Sequence, residues 1–359
     1  EEVAKHDSPE SAWIVVKGRV YDCTPYLADH PGGASSILLL AGQDATEDFE
    51  AVHSKKAWLQ LEDYFIGLLQ GTAPPALAAA LSSAPPAVVA AAAPSAGASF
   101  LQKRAQALPL VEKVVVSHDT RIFRFGLPTP STQLGLPTGM HMLLSAKVGG
   151  KTVMRPYTPM TDDTTLGHVD LLVKVYFAGV HPKFPEGGKM SQHLESMKIG
   201  DTIDVKGPMG EFVYRGLGAF AWKGKARRCR RVSLVAGGTG LTPCYQVLAA
   251  VLRDPEDTTE VRLLYANRTP DDILMRQALD ALAAAHPGRF SLWYTVDLVH
   301  EGADWTYDVG FVTQAMLEAH LFPPAEDTIS LMCGPPPMTS SAMEKLVQLG
   351  YKGDNVLVA

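Results

Sequence analysis

Two histidines stand where a pair of metal ligands would be useful. His30 opens the run His30-Pro31-Gly32-Gly33, and His53 lies in Ala51-Val52-His53-Ser54, between two segments of helical pattern. Proline stiffens the entry to the first loop, and two glycines let the backbone pass close to a bulky planar group. Imidazoles from two opposed helical hairpins can ligate one iron from both sides. An iron with both axial positions filled has none left for oxygen or substrate, so such a centre passes electrons. A single loop histidine is usually structural or solvated; it is the surrounding sequence that raises the reading.

A second group of chemistry-bearing residues is Arg155-Pro156-Tyr157-Thr158-Pro159-Met160-Thr161. An extended run turns alternate side chains to opposite faces. A guanidinium, a phenol ring and a hydroxyl can therefore meet one ligand. A flavin dinucleotide asks for a cation at its pyrophosphate, an aromatic ring against the isoalloxazine and a donor near N5. Lys174-Val175-Tyr176-Phe177 supplies another cation and more aromatic surface. Gly187-Gly188-Lys189-Met190-Ser191 opens a helix, whose free N–H groups and dipole can hold phosphate. The plain alternatives are a surface strand with a Pro-rich turn and an ordinary helix start.

A third group follows the apolar run Val232–Ala236: Gly237-Gly238-Thr239-Gly240-Leu241-Thr242-Pro243. Glycines at a strand-to-helix turn let a pyrophosphate sit on the helix N-terminus. Beyond the next strand comes Asp271-Asp272, and an acid there can bond ribose hydroxyls and repel a 2′-phosphate, which favours NADH. Arg268 and Arg276 leave NADPH open, and Asp272 serves equally well as a helix N-cap. Cys333-Gly334-Pro335-Pro336-Pro337-Met338 follows a third strand, Thr328–Met332. No histidine or acid is arranged to make Cys333 a nucleophile, and a buried strand-end cysteine is inert.

These groups need three kinds of scaffold. Residues 1–69 contain short strands around Lys17-Gly18 and short helices near 34–41, 44–51 and 55–62, an α+β unit. Residues 70–106 read as an Ala/Pro-rich flexible linker, since Thr72–Ser99 has neither charge nor aromatic ring and carries repeated prolines. Residues 107–221 alternate β-branched runs at all-β spacing, which predicts an antiparallel β-barrel. Residues 222–231 read as a basic connector. Residues 232–359 alternate strand and helix, the pattern of a parallel α/β domain.

Composition bounds the partners. The net charge of −6 argues against nucleic acid, which needs a basic surface. Residues 1–69 carry five Lys/Arg against twelve Asp/Glu, so the first module should dock on something basic. The stretch Arg227-Arg228-Cys229-Arg230-Arg231 is one candidate and nearby lysines another, although for any single Arg a solvated connector is the simpler reading. Four dispersed cysteines form neither a zinc site nor a disulfide framework, which suits a reducing cytosol. No run approaches eighteen apolar residues, so no transmembrane helix is expected. The start at Glu1-Glu2-Val3, without Met or an apolar leader, reads as a piece of a longer protein.

With Tyr21–Leu27, Ala41–Phe49 and Tyr64-Phe65-Ile66-Gly67 around the histidines, residues 1–69 resemble a cytochrome b5 domain. The resemblance implies that His30 and His53 are axial ligands of a haem b, with Phe49, Leu38 and Leu59 as candidate pocket walls. The remainder resembles the ferredoxin–NADP reductase superfamily in its cytochrome b5 reductase branch. That implies FAD contacts from Arg155, Pro156, Tyr157, Thr158, Val173, Lys174, Val175, Tyr176, Lys189, Met190 and Ser191, with Phe177 and Phe184 as further contacts. Thr239 and Thr242 resemble positions near the flavin. NADH would meet Gly237, Gly238, Gly240, Asp272, Arg276, Cys333, Gly334, Pro335 and Met338, with Cys333 helping to position the nicotinamide, and Tyr157 and Thr158 serving the flavin chemistry. The runs Tyr176–Pro185, Gln246-Val247 and Tyr265–Thr269 resemble the haem–FAD part of eukaryotic assimilatory nitrate reductases. That likeness implies a cytosolic, homodimeric parent whose molybdenum domain, absent here, accepts the electrons and reduces nitrate. A self-contained fusion of cytochrome b5 with its reductase, serving other acceptors, is the alternative.

Overall fold

The computed structural model describes residues 2–53, 55–69, 99–180, 185–300 and 304–359. The Ala/Pro-rich segment at 70–98 lies outside the described residues. The first domain holds strands β1 (Asp7–Ser8), β2 (Ser11–Val16), β3 (Arg19–Asp22) and β4 (Phe65–Leu68), with helices α1 (Ala34–Leu38), α2 (Thr46–Val52) and α3 (Lys55–Leu61). The strands form one antiparallel sheet in the order β1-β2-β3-β4. Lys17 and Gly18 both take positive φ (53° and 72°) between the paired Val16 and Arg19. A two-residue turn with two positive φ angles matches the twist of the strands it joins. Ile14, Val16, Tyr21, Phe49 and Leu61 form the core between sheet and helices.

The second domain contains β5 (Gln106–Val115), β6 (Thr120–Gly126), β7 (His141–Val148), β8 (Lys151–Tyr157), β9 (His168–Lys174) and β10 (Thr202–Met209), with helix α4 (Lys189–Ser196). They make a curled antiparallel sheet, β8-β7-β10-β5-β6-β9, the barrel-like wall expected from the spacing. Leu108, Leu110, Phe123, Met142 and Leu144 fill it. Each such fully buried side chain contributes roughly 1.5–3 kcal/mol over its exposed state. Phe100 and Leu101, assigned by composition to the linker, are buried in this same core, and Phe100 N–H bonds the Gln133 carbonyl. The linker thus ends earlier than 106, because two large apolar residues find a core to enter.

Strands β11 (Phe212–Gly216), β12 (Ala219–Trp222) and β13 (Lys225–Arg228) follow as a meander. The segment read as a basic connector is therefore the second hairpin of this meander, turned at Lys223 and Gly224, both of positive φ. The last domain holds β14 (Arg231–Gly237), α5 (Leu241–Arg253), β15 (Glu260–Asn267), α6 (Arg276–Ala285), β16 (Phe290–Val296), β17 (Asp308–Val309), α7 (Gln314–His320), β18 (Thr328–Cys333), α8 (Pro336–Gln348) and β19 (Val356–Val358). Its sheet is wholly parallel, ordered β17-β16-β15-β14-β18-β19. Val232, Leu234 and Ala236 pack into one core and Val235 into another, so β14 is covered on both faces, as a parallel sheet requires. The chain order reverses between β14 and β18. That places a crevice beyond the carboxyl ends of these two strands, where ligands of open α/β sheets bind.

Candidate functional site

His30 precedes α1 and His53 directly follows α2; their ring centroids lie 5.8 Å apart with 35° between planes. Each Nδ1 is already engaged. His30 Nδ1 lies 2.9 Å from the Gly33 carbonyl oxygen, and His53 Nδ1 3.1 Å from that of Phe49. A carbonyl only accepts, so each Nδ1 carries the hydrogen and each Nε2 offers its lone pair. Carbonyl partners of this kind fix the tautomer and orientation of metal-binding imidazoles. Phe49 stacks on His53 at 4.0 Å, and Ile37, Leu39 and Leu61 add apolar wall. Burial, opposed by the Phe49 hydrogen bond and aided by His30, holds His53 below its ordinary pKa, in the neutral form that ligates. Donors, tautomer and apolar slot fit an iron porphyrin. The glycines line the cavity and serve a further purpose as well. A Cβ on Gly32 would meet His30 Cε1 at 2.9 Å, and one on Gly33 the Glu211 carboxyl at 3.0 Å, so both make room for protein atoms.

Arg155 and Tyr157 stand two residues apart at the end of β8 and so share a face. Burial pushes the Tyr157 phenol well above its usual range, leaving it a neutral donor. Next to them α4 begins. Gly188 N–H bonds the Tyr176 carbonyl at 2.8 Å, and Ser191 Oγ accepts from Tyr176 N–H at 3.2 Å. A Cβ on Gly187 would lie 2.4 Å from Tyr176 O, and one on Gly188 2.5 Å from Ser191 Oγ. Only glycines can run this close beneath Tyr176. The first-turn N–H groups of α4 have no acceptor within the helix and face an anion-ready space. Residues and backbone here fit a flavin dinucleotide.

At the crevice of the parallel sheet, two loops interlock. A Cβ on Gly240 would stand 2.2 Å from Cys333 O, and one on Gly334 2.6 Å from Met338 Cε. Gly238 differs: its φ is +53° and nothing lies within 4 Å of a Cβ built there. Its position is the open one, where a ligand can approach. Burial pushes the Cys333 thiol up to about 11, so it is un-ionised near neutrality.

One cavity of about 1550 Å³ joins the three regions. Its lining includes His30 and His53, then Arg155, Pro156, Tyr157, Thr158, Val173, Lys174, Tyr176, Lys189, Met190 and Ser191. It continues past Gly237, Gly238, Thr239, Gly240 and Thr242 to Cys333, Gly334 and Pro335. Val175, Phe177, Asp272, Arg276 and Met338 stand outside that lining; Phe184 lies outside the described residues. Leu38 only packs against the haem-side core, and the Leu59 side chain is likewise outside the described set.

Asp272 ends a short turn and caps no helix. It accepts from Lys174 Nζ at 2.7 Å and Thr269 Oγ1 at 2.8 Å, while Lys174 also pairs with Asp119 at 2.8 Å. Burial alone would raise the Asp272 carboxyl, but these bonds outweigh it and the group titrates below its ordinary value. The pair fastens the parallel domain to the barrel. Arg276 lies over the Tyr294 and Trp305 rings. Met338 packs beneath Gly237 and Gly334.

The acidic first domain is seated on the barrel through α2 and β8. Thr152 Oγ1 donates to Glu47 at 3.3 Å, Lys206 pairs with Asp48, and the Ala34 N–H donates to Glu211 at 3.2 Å. The Lys206 side chain is 8% exposed. The Arg227–Arg231 stretch is not the dock: Arg227 bonds the Asp354 carbonyl and Asn355, and Arg231 pairs with Asp327 at 2.7 Å. Strand pairing turns those arginines onto the parallel domain. Sequence reasoning missed Glu211, Trp222 and His141, all lining the cavity. Burial pushes His141 down to about 4. A buried acid or histidine at a strand end carries no local signal of the neighbour it faces.

A cytochrome b5-like heme/steroid binding domain model matches residues 1–70, an oxidoreductase FAD-binding domain 107–214, and an oxidoreductase NAD-binding domain 234–344. The crystal structure of the cytochrome b5 reductase domain of Ulva prolifera nitrate reductase is 49% identical, with a TM-score of 0.70, covering 73% of this chain and 100% of that one. The chain belongs to the cytochrome b5 reductase family of nitrate reductases. An NADH nitrate reductase of Volvox carteri is 47% identical over 361 residues, and one of Lotus japonicus 48% over 373; each match covers 99% of this chain. The chain spans 42% and 41% of those relatives' lengths. It is an oxidoreductase built of a cytochrome b5, an FAD and an NAD module, and the molybdenum domain of nitrate reductases is not within it.

Proposed function

We propose that this chain takes a hydride from NADH onto FAD and passes electrons singly to a b-type haem held by His30 and His53. Their onward destination is a molybdenum centre outside the chain, which reduces nitrate to nitrite. The single cavity linking the histidine pair, the Arg155–Ser191 surface and the Gly238–Cys333 crevice carries the reading. Bound FAD supplies the conversion from two-electron to one-electron chemistry. In this reading Arg155 and the α4 N-terminus hold the pyrophosphate, while Tyr157, Thr158 and Tyr176 set the isoalloxazine plane. Gly238 admits the nicotinamide dinucleotide, and Cys333, uncharged, sets how closely the two rings approach. The names of the relatives support NADH over NADPH and nitrate over other acceptors. No described helix is long and apolar enough to cross a membrane, which accords with a cytosolic parent. A dimeric parent is the companion proposal, checked by light scattering on the full-length protein.

An anaerobic visible spectrum before and after stoichiometric NADH tests the whole path. Flavin bleaching followed by sharp reduced-haem bands supports it; haem that stays oxidised while flavin bleaches refutes the last step. Cys333→Ser is expected to lower kcat about 10- to 100-fold, the effect of a ring misplaced by an ångström or less. Because the thiol titrates near 11, no pH-dependence between 6 and 9 should be lost with it; stopped-flow flavin reduction across pH reads both.

Docking should depend on the Asp48–Lys206 pair, which is buried enough to resist screening. The lysine side chain is buried while the aspartate stays partly exposed, so removing one partner leaves an unpaired charge at the seam. Lys206→Glu is expected to slow NADH-driven haem reduction at least tenfold, and Asp48→Lys in the same chain to restore much of it. Stopped-flow haem absorbance checks this, and a Lys206→Glu rate equal to the parent's rejects the dock.

A further inference from the structure

The peptide group between Gly33 and Ala34 is used at both ends. Its carbonyl oxygen lies 2.9 Å from His30 Nδ1, and its N–H donates to Glu211 Oε1 at 3.2 Å. One amide therefore stands between a carboxylate of the barrel–meander junction and an imidazole of the histidine pair. Glu211 follows β10 and belongs to the body on which the first domain is seated, so the contact exists only while the domain is docked. The approach is tight. Gly33 has φ +80°, and any Cβ there would lie 3.0 Å from the Glu211 carboxyl. Lys223 Nζ, 3.9 Å away, steadies the carboxylate from the other side.

We propose that Glu211 couples docking of the haem domain to the oxidation state of its iron, so that the ferric form docks more tightly than the ferrous. A carboxylate on the N–H end of an amide polarises it and strengthens its carbonyl as an acceptor. A histidine whose Nδ1–H is held more strongly is a more basic ligand through Nε2. A more basic ligand and a nearby negative charge both favour the ferric centre, which carries one more positive charge. The step itself is the addition of one electron, supplied by the NADH and flavin chemistry proposed above, to the iron; no bond forms or breaks. By reciprocity, whatever factor docking takes from the reduction equilibrium, reduction takes from docking. The oxidised domain seats itself, receives its electron, and in doing so loosens the seat. That order suits a carrier that must leave the flavin to reach its next acceptor. Glu211 is a positioning residue here, acting through the Gly33–Ala34 peptide and His30.

The test is the haem midpoint potential of the full chain, measured by spectroelectrochemistry in four forms: parent, Glu211→Gln, Lys206→Glu and the double variant. Glutamine keeps an oxygen for the Ala34 N–H and removes the charge. A tenfold docking preference for the ferric form corresponds to about 59 mV for one electron. Glu211→Gln is expected to raise the potential by an amount of that order in the docked parent. In the Lys206→Glu background, where the seat is broken, the same substitution should shift nothing. Comparing the two differences cancels the charge introduced at position 206. A Glu211→Gln potential equal to the parent's overturns the coupling. A shift of equal size in both backgrounds overturns it too, since it would be a charge effect indifferent to docking. The inference rests on His30 as an axial ligand. Failure of that reading would appear in the parent as loss of the bis-histidine haem spectrum, whereas failure of the coupling leaves the spectrum intact and the potential unmoved.

Discussion

His53→Ala is expected to yield a chain that purifies with flavin but without a stable b-type haem. The prediction follows from how the ring is held. Its Nδ1–H is committed to Phe49 O, its face stacks on Phe49, and its Nε2 is the only atom left to reach the pocket centre. Alanine removes the ligand atom and opens a void under Phe49. Ile37, Leu39 and Leu61, which line the same cavity, are apolar and offer no ligand atom in its place. His30→Ala should act in the same way, losing the bond to Gly33 O in place of that to Phe49 O. The Soret-to-flavin absorbance ratio after haem reconstitution reads the result directly. NADH should still bleach the flavin of His53→Ala, because the Arg155 and Gly238 regions belong to other domains. A variant that keeps an unchanged Soret band and reduced-haem spectrum would remove His53 from the ligand set.

The histidines, the Arg155 run and the Gly237 turn were legible because each is a local string, and the strand and helix periods around them are strong. The hairpin at 219–228 was not, although its turn repeats the Lys-Gly signature read correctly at Lys17-Gly18. In both turns the two central residues have positive φ and the flanking residues pair, Val16 with Arg19 and Trp222 with Lys225. The difference lies in the flanks. Around Lys17-Gly18 the strands are apolar, whereas Lys225 to Arg231 is mostly cationic and hides its alternation. Strand β13 pairs with β12, and its Arg227 reaches Asp354 and Asn355, which lie far along the chain.

Charge balance told which module was acidic, but not which basic residues it would meet. Five arginines or lysines packed into 225–231 outweigh Lys206 in any reading by composition, yet Lys206 is the one that pairs with Asp48, while Arg227 and Arg231 bond Asp354, Asn355 and Asp327. Asp272 illustrates the same limit. As an acid after the second strand it looked ready for a ribose, and only the fold brings Lys174 and Asp119 to it. Glycines were located correctly and explained incompletely. What a missing Cβ makes room for depends on the segment that crosses it.

Gly240→Ala is the sharpest case, and it is expected to slow hydride transfer from NADH far more than its size suggests. Gly240 has φ −64° and ψ −1°, an ordinary helical conformation that alanine adopts without strain. On local grounds the substitution should be neutral or slightly favourable. The tertiary contact reverses that. The new methyl would sit 2.2 Å from Cys333 O and 2.7 Å from Gly334 N, both backbone atoms that no rotamer change can move. The two loops must part by roughly an ångström, and displacements of that size cost about 10²-fold where two reacting groups must be held in register. Overpacking of this kind also destabilises by about 1–3 kcal/mol. Gly238→Ala separates the two effects. Its φ of +53° disfavours a side chain by about 1–2 kcal/mol, but its Cβ points into open space and parts no loops. Gly240→Ala should therefore slow flavin reduction even at saturating NADH, whereas Gly238→Ala should chiefly raise KM by narrowing the entrance. Stopped-flow flavin reduction against NADH concentration distinguishes them. Equal limiting rates for parent and Gly240→Ala would show that the Gly240–Cys333 contact does not hold the nicotinamide in register.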